Sequence, residues 1–469
     1  MAGDPRPTPD ESQLDHPTVE TDRGRHKRRN RGAKSKPPVD TRAWLFAAAP
    51  VVLIFVGMFL GGADNLLLAL LLSCGGAILL FVYLAQPEQR LAVGRVRGLP
   101  LIAGSFGLVI MVALLSLGPW APIGPHPVWT YVPGATGATT VDRGRSLAEV
   151  FKLLGLATIF LVGTMAGASD DLARRVRIAV ISGGALFAFW ALLSIGHSGD
   201  LQFVGRLTGG LASPNATGTF LAMMLVLSLP LLGGAVQEGK GSKLERAISA
   251  YAPAAGLIVL FGVCLVFTAS RGAIASAVIA VLIYFGLQAA SKKVKLWQAL
   301  SGAAAILVAV VGVLLMKGGL AIQRLGEAGV DAGTRETIFR VHWQTFLQSP
   351  WMGFGLGSFD AVNNLVLSQS TYAPMWNVRS THNAYLQWLE EAGALGAVPM
   401  FVCIASIIAI VVIGLSERSR RLTWLRGLLA VDAVVLLHGM TDFALQVPAI
   451  AALWALLLGL QLGTVSRAR

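Results

Sequence analysis

The stretch NLLLALLLSCGGAILLFVYLA, Asn65 to Ala85, runs for 21 residues without a charged side chain. A bilayer hydrocarbon core about 30 Å thick asks for roughly 20 apolar residues in a helix. Only a helix satisfies its own backbone polar groups along such a run in lipid. The segment therefore reads as a membrane span, and it decides the class of the whole chain. Working outward on the same rule gives Trp44 to Leu60 before it, and Leu99 to Leu117, Ser146 to Ala166, Val176 to Ile195 and Pro214 to Leu232 after it. Tyr251 to Ala269, Gly272 to Ala290, Trp297 to Met316, Ala384 to Leu415, Leu425 to Met440 and Val447 to Thr464 follow. The expectation is an all-α polytopic membrane protein of about twelve spans, the tenth of which overshoots one bilayer.

Composition agrees: 54% of the 469 residues are hydrophobic and 13% charged, too apolar for a soluble chain of this length. A net charge of +13 would suggest nucleic acid in a soluble domain, but here it reports orientation, and no nucleic-acid partner is expected. Residues 1–42, with RGRHKRRNRGAKSK at Arg23 to Lys36, read as a disordered basic cytoplasmic tail that meets anionic lipid only at the surface. No signal peptide is expected, because some forty polar residues precede the first apolar run. With that tail inside, the basic clusters at Arg90, Arg95 and Arg97, at Arg174, Arg175 and Arg177, at Lys240, Lys243 and Arg246, at Lys292, Lys293 and Lys295, and at Arg418 to Arg426 all fall inside too. The C-terminal 465–469 is then cytoplasmic, and the long loops Gly118 to Arg145 and Lys317 to Thr381 lie outside. Chemistry is expected on that outer face. Within the second loop, ETIFRVHWQTFLQSPWMGFGLGSF, Glu336 to Phe359, reads as a short amphipathic helix on the membrane surface followed by a Pro- and Gly-rich turn.

Several polar groups are not explained by membrane position. Arg271, in TASRGAIAS, is the one charged residue from Tyr251 to Ala290, and an arginine near hydrocarbon costs about 2.5–3.5 kcal/mol at a helix centre. Arg206 lies in GRLTGGLASPNATG, where a glycine-rich loop runs into a helix start and its exposed amides suit an anion. His382 opens STHNAYLQWLEEAGALG, in which Leu386, Leu389, Gly393 and Gly396 fall near one helical stripe, so that a neighbouring helix can approach closely. Glu390 flanks that stripe and is a candidate to orient or polarise a site; Glu391 is on the far side. His438 and Asp442 stand four apart in HGMTDF, on one helix face, as a local pair or as support for the same site. His126, His197, His342, His382 and His438 are scattered, and Cys74, Cys264 and Cys403 sit in separate apolar runs, so neither a metal site nor a disulfide framework is expected.

The segment HNAYLQWLEEAGALG resembles the H-[NSQ]-x9-G-x2-[GTY] pattern of the O-antigen ligase family, with His382, Asn383, Gly393 and Gly396 in place. TASRGA, GRLTGGLASPNATG and HWQTFLQSPWMGFGLGSF are similar to other shared segments of that family, in the same order, so the resemblance covers roughly Gly205 to Leu460. It implies a GT-C-like membrane glycosyltransferase over 201–464, including the loop 317–381, preceded by spans 1–5 at 43–200. It further implies a polyprenyl-diphosphate-linked glycan donor, an acceptor that is lipid A core or a growing glycan, no metal or other cofactor, and an active site on the periplasmic face of the bacterial inner membrane. Carried over by motif, Arg206 and Arg271 would bind the diphosphate and His382 would serve catalysis at the acceptor, with Arg335 or Arg340 of the long loop as alternatives to Arg206. Asn383, Glu390, His438 and Asp442 are then supporting residues. An O-antigen ligase is the first expectation, an O-antigen or exopolysaccharide polymerase the second. A transporter or flippase is the reading from another class, and the absence of repeated halves argues against it.

Overall fold

The computed structural model describes residues 40–194, 205–211, 213–233, 242–291, 333–417 and 422–466. Among them every regular element is helical. The helices are α1 (Thr41–Phe59), α2 (Leu66–Leu84), α3 (Pro87–Val93), α4 (Leu99–Ser116), α5 (Arg143–Ala168), α6 (Asp170–Leu193) and α7 (Pro214–Ser228). They continue as α8 (Lys243–Phe267), α9 (Arg271–Ala290), α10 (333–346), α11 (Phe359–Val366), α12 (Ala384–Glu417), α13 (Leu422–His438) and α14 (Pro448–Ser466). Nine helices among the described residues are long and apolar enough to cross a membrane, which makes the chain a polytopic membrane protein. Eleven of the twelve expected spans coincide with helices here, α8 contributing its apolar part Tyr251–Phe267 and α13 only 17 residues. The ninth, Trp297 to Met316, and the basic tail 1–39 lie outside the described residues.

The core is built around α7 and α14, which are buried along nearly their whole length. Backbone contact explains how α14 packs so closely on α5. GTMAG at 163–167 faces GLQLG at 459–463, and a methyl group on Gly459 would sit 2.0 Å from the Phe160 carbonyl, one on Gly163 2.3 Å from that of Leu456. Small residues four apart on both helices let backbones meet, which is how helices gain dispersion energy where lipid removes the hydrophobic drive. The buried Asp432 of α13 accepts from Trp454 Nε1 at 2.9 Å and Gln461 Nε2 at 2.7 Å, tying α13 to α14. A buried carboxylate in this setting needs such donors.

The two long loops assigned to one side of the membrane do meet. Val141 N–H donates to the Phe354 carbonyl at 2.9 Å, and Ser146 Oγ donates to that of Leu356 at 2.8 Å. At the opposite end, Arg97 N–H donates to Ser466 Oγ, which brings two segments assigned to the inner side together.

The overlong tenth span has a specific explanation. At about 1.5 Å per residue its 34 residues would reach about 51 Å, but the helix breaks at Gly393 (φ +60°, ψ −177°). The carbonyls of Glu390 and Glu391 freed by the break accept from Phe354 and Gly355 N–H at 3.0 and 2.8 Å. The amides of Ala394 and Leu395 donate to Pro350 and Trp351 at 2.8 and 3.0 Å. A loop backbone thus replaces the missing helical bonds. This corrects the helical stripe through Leu386, Leu389, Gly393 and Gly396: Gly393 admits the loop at Trp351, while Gly396 alone faces a helix, where an added methyl group would lie 3.5 Å from Val112 of α4.

Candidate functional site

Three helices begin at one place. α7 starts after Ser213, whose hydroxyl accepts from Ala216 N–H at 3.0 Å, with Pro214 in its first turn. α9 starts after Ser270, whose hydroxyl accepts from Ala273 N–H. α12 starts after Asn383, whose Oδ1 accepts from Tyr385 and Leu386 N–H at 3.0 and 3.1 Å. Asn383 is therefore a cap, which is a physical reason for a short polar side chain beside the motif histidine. The residues before two of these starts are left-handed: Ala269 at φ +52° and His382 at φ +53°. Non-glycine residues seldom adopt that conformation, and where they do it concentrates at functional sites.

The α8–α9 turn is as tight as the sequence indicates, which leaves Arg271 on the first helical residue of α9. The glycine-rich loop is pinned against the same turn. Leu207 N–H donates to the Phe267 carbonyl at 2.9 Å, and Arg206 Nε donates to that of Thr268 at 2.8 Å. Arg206 Nη2 also donates to Asn215 Oδ1 at 3.0 Å, and Asn215 Nδ2 in turn donates to Asp442 Oδ1 at 3.3 Å. Asp442, fully buried, lies 3.9 Å from Nδ1 of His382, whose ring meets Phe443 edge-on at 5.3 Å. A hydrogen-bonded chain therefore runs from Arg206 through Asn215 to Asp442 and stops one gap short of His382, whose Nδ1 lies 3.9 Å from the carboxylate, beyond hydrogen-bond distance.

A cleft of about 70 Å³ is lined by Arg206, Asn215, Ser270, Arg271, Arg335 and His438, with Thr441 at its edge. Three guanidinium groups line it and, among the described residues, no carboxylate does. Two helix N-termini, those of α7 and α9, add their partial positive charge. Such a cleft suits a compact, multiply charged anion, since guanidinium binds phosphate oxygens through a planar fork and keeps its charge at any working pH.

The other candidates fall as follows. Arg335, in the first turn of α10, reaches the cleft; Arg340 is exposed on the same helix and does not line it. His438 lines the cleft and shares a 2.6 Å hydrogen bond with Thr219 Oγ1. The expectation of a His438–Asp442 pair on one helix face is corrected, because α13 ends at His438 and Asp442 follows in a turn with different partners. Glu390 is likewise displaced from the role of polarising the acceptor side: it bonds His342 Nδ1 at 2.7 Å and takes no part in the cleft. Sequence reasoning overlooked Asn215 and the pairing of His342. The available signal for Asn215 was an amide in the first turn of an otherwise apolar helix, and for His342 a lone histidine on the apolar side of an amphipathic helix. Among the described residues no group of three or more His, Cys, Asp or Glu side chains is placed to hold a metal ion.

No curated protein matches the chain. Residues 256–401 match the family model described as O-Antigen ligase, a segment that holds Arg271, Arg335 and His382. That match covers 146 of the 469 residues and supports an O-antigen ligase/polymerase family assignment.

Proposed function

We propose that this membrane enzyme transfers a glycan from a polyprenyl diphosphate to an acceptor hydroxyl on the extracytoplasmic face, as an O-antigen ligase acting on lipid A core in the bacterial inner membrane. The observation that carries the reading is the convergence of Arg206 and Arg271 with two helix N-termini on one cleft, linked through Asn215 to Asp442, which lies 3.9 Å from His382. The match of residues 256–401 to the O-Antigen ligase model supports glycan ligation or polymerisation in general.

The chemistry fits these residue types. When an acceptor oxygen attacks the anomeric carbon, the bond to the diphosphate oxygen breaks and negative charge grows on the leaving group. Arg206 and Arg271 stabilise that charge without a metal, as preorganised donors aimed where charge develops. His382 takes the proton of the attacking hydroxyl, a step typically worth 10²–10⁴-fold. Direct displacement inverts the anomeric configuration. A GT-C-like arrangement, with both termini cytoplasmic, puts all of this on the side of the two long loops.

Glycan profiling of a null strain complemented with wild type, His382→Ala or Arg271→Ala tests the reading, with membrane levels of each protein measured. Polymer retained on the lipid carrier, with lipid A core left bare in both variants, is the expected result. Single repeat units capping the core would assign the same chemistry to a polymerase. Normal glycans from well-expressed variants would remove the catalytic assignment and favour the transporter.

A further inference from the structure

We infer that Arg335 is a leaving-group sensor: a third guanidinium, mounted on the long loop rather than on the helical bundle, that favours the free lipid diphosphate over the glycosylated donor. The inference rests on the proposed glycosyl transfer and adds a role that Arg206 and Arg271 do not have.

The three arginines of the cleft differ in how they are held. Arg206 is engaged by the Thr268 carbonyl and by Asn215, and Arg271 is fixed at the first residue of α9. Both belong to the bundle. Arg335 comes from α10, and among the described residues its guanidinium forms neither hydrogen bond nor ion pair, so its donors are open to a ligand. Seven residues further on, two turns or about 10 Å along the helix, His342 of α10 is locked to Glu390 at 2.7 Å. The same helix is thus anchored at one end and presents a cation to the cleft at the other.

Charge balance says what that cation does. In the donor each phosphate carries one ester link and shares the anhydride bridge, which leaves two negative charges. Transfer breaks the bond from the anomeric carbon to the terminal phosphate oxygen, the electron pair stays on that oxygen, and the hydroxyl proton leaves to the base. The terminal phosphate is then held only by the anhydride bridge and gains a second ionisable oxygen with a pKa of about 6, as in a phosphate monoester, so the product carries about three charges. Three guanidinium groups match the product and the late transition state better than the donor. An interaction that strengthens only as charge develops raises turnover rather than donor affinity.

Binding to full-length protein in nanodiscs at pH 8 tests this, with farnesyl diphosphate as the three-charge probe and its terminal methyl ester as the two-charge probe. Wild type should prefer the free diphosphate at least tenfold. Arg335→Gln should reduce that preference below threefold while leaving ester affinity within twofold. Arg335→Lys, which keeps the charge but loses the fork, should fall between and carries the test if Arg335→Gln is not recovered folded. Arg271→Gln should weaken both probes about equally. A preference unchanged in both Arg335 variants, or an equal loss for both probes in them, would overturn the sensor role and leave the diphosphate site standing. Wild type that binds neither probe, or Arg206→Gln and Arg271→Gln that bind both normally, would overturn the diphosphate site and the sensor with it.

Discussion

Nδ1 of His342 and Oε1 of Glu390 lie 2.7 Å apart, with neither side chain exposed to solvent. The pair ties the long loop to the first segment of α12, just before the break at Gly393. His342 continues to Asn363 Oδ1 at 3.3 Å and stacks on Phe359, so α10, α11 and α12 share one buried polar lock. Removing one partner of a buried pair strands the other, at a cost of about 3–5 kcal/mol. Glu390→Ala and His342→Ala should each lower the melting temperature of the purified protein sharply. The double variant should cost less than the sum, and strict additivity in a double-mutant cycle would refute the coupling.

Gly393 is a backbone requirement. Its conformation belongs to a region open essentially to glycine alone, and an added methyl group would lie 2.3 Å from the Trp351 carbonyl group. Gly393→Ala should remove most folded protein from the membrane and abolish glycan transfer. Gly396→Ala, whose new methyl group would crowd Ala392 Cβ at 2.7 Å but meets no backbone and keeps an ordinary helical conformation, should cost less and keep part of both. Immunoblots of membranes beside glycan profiles separate these outcomes, and equal effects of the two substitutions would contradict the break.

His126, in the first long loop and outside the spans, has a pKa lowered from 6.5 because burial disfavours the charged ring. Its Nδ1 accepts from Val128 N–H at 3.1 Å, and its ring packs against Phe354 of the second loop. Since the unfolded loop binds the proton more readily, the stability contributed by neutral His126 is complete above about pH 6.5 and declines as pH falls below it. Amide exchange in residues 126–141 should therefore quicken between pH 7.5 and 5.5, after correction for intrinsic rates. His126→Asn, which keeps a capping oxygen but does not titrate, should remove that extra pH dependence.

What the sequence revealed depended on the range of the interaction. Span positions and the tight α8–α9 turn follow from local hydropathy, and the helices agree with them; the sorting of loops follows from charge, and the two long outer loops do touch each other. Arg271 stood out because lipid makes a charge conspicuous and Arg206 because a glycine-rich loop runs into a helix start beside it, and the two do share a cleft. Glu390 was equally conspicuous, yet its partner lies 48 residues away on a loop helix, and helical periodicity carries no information about such a partner. Periodicity also hid the break at Gly393, because a loop that supplies substitute hydrogen bonds leaves the apolar pattern of the helix intact. The packing of 163–167 on 459–463 was legible in principle as two G-x-x-x-G runs, but which helices they join is a tertiary fact.

Asp442 separates stability from function most sharply. Its Oδ1 accepts from Asn215 and lies 3.9 Å from His382 Nδ1, while its Oδ2 is buried without a hydrogen-bond partner among the described residues. A buried carboxylate with half its capacity unused is costly in the resting protein, and the His382 ring stands beside it. On the proposed mechanism, the carboxylate orients the imidazole and stabilises the cation formed when His382 takes the acceptor proton. Asp442→Asn preserves shape and removes the charge. Its melting temperature should match or exceed that of wild type, while glycan transfer falls more than tenfold. Asp442→Ala, which also releases Asn215 and through it Arg206, should lose both. A transfer rate for Asp442→Asn within twofold of wild type would reduce Asp442 to a packing residue and leave His382 to act without it.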